Sequence, residues 1–251
     1  MRKTQIYKYY AFGYNYALLK NGGCLGWAKE LAISTLKDLF IDLTMLDLKV
    51  TLKAAEKLQS ILQEIEKSDA ATIDAALANR IKSEVERIDP SLDAELQLQD
   101  AYVLTEKRYG TDKLLENPDS LLSGGVYSKL SDTSKKDFSL ACTQIAFSQP
   151  TAAAFHLMRA LEEQVKMIYL GFKKTKRLKK PMWGPMIEEL RKKKKPKPSE
   201  KLMSHLDGIR VHFRNPTQHP EAFYTLDEAQ DLLNQTITAV NMIHRELPKT
   251  G

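Results

Sequence analysis

Apolar residues recur every three or four positions along most of the chain, the signature of helices that bury one face. No proline or glycine interrupts Trp27 to Lys67, where Leu36, Leu39, Phe40, Leu43 and Leu46 form one stripe. After a phase shift, Leu58, Ile61, Leu62 and Ile65 form another, so the spacing predicts one long helix or two joined by a slight break. Asp69 and Thr72 offer caps for a helix over about 72–88, with Ile73, Leu77, Ile81, Val85 and Ile88 on one face. Pro90 is expected to close it, and Ser91 to open a further helix carrying Leu92, Leu96 and Leu98 toward Tyr109-Gly110. Short connections make these elements hairpins. The start of the chain breaks the pattern. Tyr10, Phe12, Tyr14 and Tyr16 alternate with a period of two, which reads as a short strand ended by Gly22-Gly23. Beside Arg2, Lys3 and Lys8 these rings either stack on bases or pack on the body of the protein.

Turn-forming residues cluster over 110–134: Asn117-Pro118-Asp119, Gly124-Gly125 and Ser131-Asp132 mark a connector with room for two short helices. The division is placed there, giving an N-terminal helical region, 1–133, and a C-terminal bundle, 134–251. The bundle is the clearer half. A helix at 134–148 carries Phe138, Ala141 and Ile145. The next, from Thr151 to about Phe172, carries Phe155, Met158, Leu161, Val165 and Ile168. A short amphipathic piece holds Met186, Ile187 and Leu190. Ser199 caps a helix over 199–213 with Leu202, Leu206, Ile209 and Phe213, and Thr225-Leu226-Asp227-Glu228 is a capping box for the last. The predicted fold class is all-α.

Composition and charge narrow the setting. The chain has 251 residues, 43% apolar and 28% charged, ordinary globular values. No run of 18 apolar residues occurs, so no membrane span is expected. Tyr7–Leu19, broken by Lys8 and Asn15, is a poor signal-peptide core, and two cysteines, Cys24 and Cys142, suit a reducing compartment; a cytoplasmic location is expected. The net charge of +6 comes from one segment. Residues 173–201 hold 13 Lys/Arg against 3 Asp/Glu, a balance of +10, and the rest of the chain balances at −4. Such a block attracts phosphates, or else is a solvated loop.

The segment Phe213-Arg214-Asn215-Pro216-Thr217-Gln218-His219-Pro220-Glu221 carries the candidate chemistry. Residues before proline disfavour helical geometry, so Asn215 and His219 are both expected to leave it. Asn215 then caps a turn beginning at Pro216, with Gln218 at the capping-box position. That bend would let Arg214 and His219 converge. Arginine offers a planar fork of donors for phosphate, histidine gives or takes a proton near neutral pH, and Asn215 adds an orienting amide. Such a set suits phosphodiester cleavage without a metal; the bland alternative is a pair of surface residues capping a turn.

Arg214-Asn-Pro-Thr-Gln-His219 resembles the R-x(4–6)-H signature of the HEPN superfamily (higher eukaryotes and prokaryotes nucleotide-binding), and Asn215 matches that family's preference for a polar residue after the arginine. The stretch Thr151-Ala-Ala-Ala-Phe-His-Leu-Met-Arg-Ala-Leu-Glu162 is similar to an earlier core helix of one bacterial branch, as are Trp183-Gly184 and Tyr224-Thr225. The likeness covers about 135–248. It implies a HEPN-type helical bundle that pairs into a homodimer, with two motifs forming one composite cleft. Many members are metal-independent endoribonucleases of toxin–antitoxin, abortive-infection and CRISPR-associated systems. On that implication RNA is the substrate, His219 the acid/base, Arg214 the phosphate-stabilising group and Asn215 the orienting amide, with no cofactor and no metal; an antitoxin or defence-complex partner is expected. The alternative is a non-catalytic HEPN module that binds nucleotide or RNA or serves as a scaffold. A subgroup regulated by tyrosine modification continues its motif His-x-Tyr; Glu221 stands at that place here.

Other residues group around this motif. His156, Arg159 and Glu163 share one face of their helix and, with Glu162, are assigned a supporting place near the cleft. Lys173, Lys174, Lys176, Arg177, Lys179 and Lys180, with Arg191, Lys192, Lys193, Lys194 and Lys195, are assigned to guiding RNA toward it. His205 and His212 share a face without a third ligand at metal-site spacing. His244, in the last turn of the final helix, is expected to face solvent, and Cys142 to be inert core.

Overall fold

A computed structural model describes residues 5–175, 177–217, 219 and 221–248. The described residues form an all-α fold; no strand occurs among them, and one isolated antiparallel bridge pairs Ala28 with Thr72. Two compact units divide the chain, Met1–Tyr102 and Val103–Gly251. The connector expected over 110–134, and the residues from Val103 that lead into it, therefore belong to the second unit.

The first unit contains α1 (Ile6–Lys20), α2 (Lys29–Met45), α3 (Lys49–Ala54), α4 (Glu56–Lys67) and α5 (Ala75–Leu96). The expected strand at Tyr10–Tyr16 is instead part of α1. Its alternation is two interleaved helical stripes: Phe12, Tyr16 and Leu19 are buried, while Tyr7, Tyr10 and Tyr14 are exposed. Tyr16 Oη donates to Asp89 Oδ1 at 2.9 Å and Lys20 pairs with Asp89 Oδ2 at 2.7 Å, binding α1 to α5. The uninterrupted Trp27–Lys67 pattern is cut twice. Asp47 adopts a left-handed φ of 55° after α2, and Ala55 leaves helical geometry between α3 and α4. The Glu95 carboxylate accepts from the backbone N–H groups of Val50 and Thr51 at 2.9 and 2.8 Å, capping α3 from α5.

Pro90 does not end a helix. α5 opens at Asp74, whose carboxylate accepts from Leu77 N–H at 2.8 Å, and runs through Pro90 to Leu96. Proline forfeits one helical hydrogen bond. Ile88 and Leu92 on either side are buried, however, and Asp89 is held by Tyr16 and Lys20, so packing overrides the local preference.

The second unit begins with α6 (Thr111–Leu115) and two 3-10 turns, Pro118–Leu121 and Tyr127–Lys129, then α7 (Asp132–Ala146) and α8 (Pro150–Phe172). There follow α9 (Trp183–Lys192), α10 (Glu200–Ile209), a π-helical stretch Arg210–Arg214, the single turn α11 (Asn215–Thr217), and α12 (Leu226–Glu246). Ser131, Ser199 and Thr225 each accept from a backbone N–H two or three residues into their helices, and Thr225 and Glu228 form the reciprocal box read from the sequence. Leu114, Leu122, Val126 and Leu130 of the connector join the core built by α7, α8, α9, α10 and α12. Burial pushes the Cys142 thiol up to about 12. Phe155, assigned to the core stripe of α8, is a correction: it is 46% exposed. Helical phase explains it, because Ala154, Leu157, Met158 and Leu161 take the inward face.

Candidate active site

The π-helical stretch is what shapes the motif. Asn215 N–H donates to Arg210 C=O, a bond spanning five residues instead of four, so each turn is wider. Asn215 stays in right-handed helical geometry, φ −65° and ψ −49°, contrary to the expectation set by Pro216. The wider turn offers the reason: the proline ring clashes with the carbonyl four residues back in a regular helix, and the π register displaces that carbonyl. Asn215 therefore does not cap a new turn. The proposed Gln218 partner lies outside the described residues.

Phe213 C=O is fastened from two directions. Thr217 Oγ1 donates to it at 2.6 Å, and Tyr224 Oη at 3.0 Å. The two hydroxyls lie 2.7 Å apart, and the Phe213 and Tyr224 rings stack with centroids 6.1 Å apart. Tyr224 N–H in turn donates to Thr151 Oγ1 at the start of α8, 3.2 Å away. The motif is thus anchored to the N-terminal ends of both α8 and α12. Sequence reasoning passed over Tyr224 and Thr217 as functional residues. Their signal was an aromatic immediately before a capping box, in a segment otherwise poor in core residues.

Arg214 points into the bundle with its side chain 20% exposed. Its Nη2 lies 3.6 Å from Glu162 Oε1, a long ion pair, and its buried Nε has no hydrogen-bond partner among the described residues. His219 is exposed on the turn beyond. Its backbone N–H donates to Pro216 C=O at 2.8 Å, and its carbonyl accepts from Ala222 N–H at 3.1 Å. Among the described residues no side-chain hydrogen bond or ion pair joins Arg214, Asn215 and His219 to one another.

The supporting residues divide into two groups. Glu162 faces Arg214. His156 and Arg159 turn to α7, where Asp137, its side chain 4% exposed, accepts from His156 Nδ1 at 2.8 Å. Arg159 Nε stands 3.2 Å from Asp137 Oδ2, close enough for charge attraction but outside hydrogen-bond geometry, and its guanidinium lies 5.8 Å from the centre of the Phe155 ring. Asp137 was missed in the sequence. A carboxylate on the apolar side of a helix beside Phe138 was the available sign, since a buried charge requires partners. Glu163 forms no ion pair with His156 or Arg159 among the described residues.

The basic segment is partly committed to structure. Arg191 pairs with Asp207 at 3.0 Å and Glu200 at 3.2 Å, and Arg210 pairs with Asp207 at 2.9 Å. Burial works to raise the Asp207 pKa, but Arg210 and Arg191 hold it below its ordinary value. This network pins α9 to the start of the π stretch. Lys173 pairs with Glu189 at 3.0 Å, and Arg177 Nε donates to Lys173 C=O at 2.7 Å. Lys174, Lys179, Lys180, Lys194 and Lys195 are exposed and have no carboxylate partner among the described residues, while the charge of Lys192, also exposed, helps to hold the Glu189 pKa down; Lys176 lies outside the described residues. His205 is taken up by Gln235 C=O at 3.0 Å, and no group of three His, Cys, Asp or Glu residues suited to a metal occurs among the described residues. Its place in the last turn predicts that His244 faces solvent; instead it is half-buried. Its Nε2 lies 3.0 Å from Gln164 Oε1, because Gln164 on α8 reaches across to the end of α12. No helix among the described residues is long and apolar enough to cross a membrane.

No protein-family model matches the chain, and neither the curated proteins nor the solved structures yield a significant match.

Proposed function

We propose that this protein is a HEPN-type, metal-independent endoribonuclease of a toxin–antitoxin or other anti-phage defence system, acting through a composite site at a homodimer interface. The observation that carries the reading is Arg214: a guanidinium held by one long ion pair, with a buried Nε that has no acceptor among the described residues. Because Nε is sealed from solvent, it is the Nη donors of this partly exposed, under-bonded guanidinium that suit a phosphate. The exposed His219 imidazole on the adjoining turn supplies proton transfer.

The reaction follows from these groups. A ribose 2′-hydroxyl loses its proton to an imidazole and attacks the neighbouring phosphorus. The bond from phosphorus to the 5′-oxygen breaks, and that oxygen takes a proton from an imidazolium. The products are a 2′,3′-cyclic phosphate and a 5′-hydroxyl. In a dimer the two copies of His219 divide the base and acid roles, while Arg214 stabilises negative charge gathering on the phosphate. The exposed lysines of 174–195 add sequence-independent attraction for the RNA backbone.

Incubation of total RNA and transfer RNA with the purified chain in excess EDTA tests this. Cleavage is expected to persist in EDTA and to fall by about 10²–10³ in both Arg214→Ala and His219→Ala, the scale of removing one transition-state partner. Equal cleavage by the variants overturns the assignment. Salt-sensitive RNA binding that survives His219→Ala, without cleavage by the wild type, would instead favour the non-catalytic binding module, a reading supported by the unpaired lysines.

A further inference from the structure

At the end of α12 remote from the motif, the connector and the helix enclose an open cleft of ≈ 450 Å³. Ser123, Lys129, Thr238, Asn241, His244 and Arg245 line it, and no carboxylate does. The motif packs at the start of α12, through Tyr224 and Thr151, and His244 lies roughly 27 Å further along that helix. The two places are therefore separate.

Three cationic or titratable groups converge in the cleft without a counter-ion. Lys129 and Arg245 form no ion pair among the described residues, and Arg245 reaches only Asn241 C=O through Nε, at 3.4 Å. The carbonyl end of α12 carries about half a negative charge, less than the two full charges of the cations beside it. Capping the helix alone does not account for both.

His244 is also oriented from behind. Gln164, 2% exposed, donates through Nε2 to Ser134 Oγ at 2.8 Å, and Ser134 Oγ donates to Ala160 C=O at 3.2 Å. This chain turns Gln164 Oε1 toward His244 Nε2, 3.0 Å away. An amide oxygen only accepts, so Nε2 carries the hydrogen and Nδ1 is the atom that takes up a further proton. A histidine merely covering a helix end needs no buried relay to fix its tautomer. The remaining lining supplies neutral polar groups: the Ser123 and Thr238 hydroxyls, and the Asn241 amide, whose Oδ1 accepts from Ser123 N–H at 2.9 Å and whose NH₂ is left to donate. No Phe, Tyr or Trp ring lines the cleft, so a nucleobase would find no stacking platform beyond the His244 imidazole.

We propose that this cleft binds a small phosphomonoester with a hydroxylated body, of the sugar-phosphate kind, its phosphate held by Lys129, His244 and Arg245. The phosphate would recruit a proton to His244 Nδ1. In the free protein, burial and then Lys129 depress that histidine's pKa. The groups facing it are Lys129 from the connector, Arg245 from its own helix and the neutral Gln164 from α8. Affinity should therefore rise as pH falls from about 8 toward 6.5, where the phosphate is still largely dianionic.

Titration calorimetry of the full chain with ribose 5-phosphate tests the proposal, with ribose and inorganic phosphate alongside. Ribose 5-phosphate is expected to bind, ribose not to bind, and Lys129→Ala and Arg245→Ala each to weaken binding at least tenfold. Both side chains are exposed, so each variant should keep the wild-type circular dichroism, and Lys113→Ala, elsewhere on the same unit, should bind as the wild type does. Absence of binding at millimolar ribose 5-phosphate, or equal affinity in the two cleft variants, overturns the site. Inorganic phosphate binding as tightly as the sugar phosphate overturns the hydroxylated body.

Discussion

A buried donor without an acceptor costs about 1–3 kcal/mol, and more when the group is charged. Arg214 Nε stands in that position, with Glu162 only at ion-pair distance. Asp137 shares that position in part: its Oδ1 accepts from His156 Nδ1, while its buried Oδ2 has Arg159 Nε only as an ion-pair neighbour, and the trio holds α7 to α8. His244 yields a residue-scale prediction. Its folded pKa lies below the ordinary 6.5, burial being the larger cause and Lys129 the lesser. Below pH 6.5 the unfolded chain therefore binds the proton more readily than the folded one. This contribution to stability is complete above that pH and is lost as pH falls through it toward the folded value. Urea unfolding of His244→Gln at pH 7.5 and 5.5 should show a smaller pH-dependent loss than the wild type. An identical loss in both proteins would contradict the assignment.

At the scale of elements, the π stretch is the feature that local rules did not reach. The spacing of Leu202, Leu206, Ile209 and Phe213 was legible as a helix, and the Ser199 and Thr225 caps were legible from the hydroxyl and, at Glu228, the acid three residues on. The insertion at Arg210–Arg214 has no such local sign: beside the local Thr217 hydroxyl, Phe213 C=O is held by Tyr224 from beyond the turn, a contact that spacing alone does not announce. Pro90 and α1 failed for the same reason. Burial of Ile88 and Leu92 carries α5 through a proline, and an alternating aromatic run reads equally as a strand until the partner of Phe12 and Tyr16 is known. The clamp makes an element-scale prediction. Tyr224→Phe keeps the stacked ring and removes the hydroxyl, costing about 1 kcal/mol of stability. Because Phe213 C=O then loses one of its two fasteners, RNA cleavage should drop by more than the small stability change allows, with the circular dichroism spectrum unchanged. Unaltered cleavage would show that the clamp is structural only.

At the scale of the molecule, the chain is two helical units, and the residues of the R-x4-H motif, the basic segment and the cleft beside His244 all belong to the second. The charge asymmetry was legible from composition; which cations are free was not, since Arg191 and Lys173 are spent on Asp207, Glu200 and Glu189. Guidance of RNA should therefore fall to the unpaired lysines. A Lys194→Ala, Lys195→Ala double variant should flatten the dependence of log affinity on log salt by about 1.4, two single-strand phosphate contacts. Arg191→Ala should act mainly through stability, and an unchanged salt slope in the lysine variant would remove that segment from the RNA path.

The central claim is chemical: a 2′-hydroxyl is the nucleophile and Arg214 and His219 carry the charge and the proton. Mass spectrometry of the RNA ends left after incubation in EDTA reads that chemistry directly. The account predicts 2′,3′-cyclic phosphate and 5′-hydroxyl ends that disappear in Arg214→Ala and His219→Ala. Ends bearing a 3′-hydroxyl and a 5′-phosphate, or RNA left intact by the wild-type protein, would contradict it.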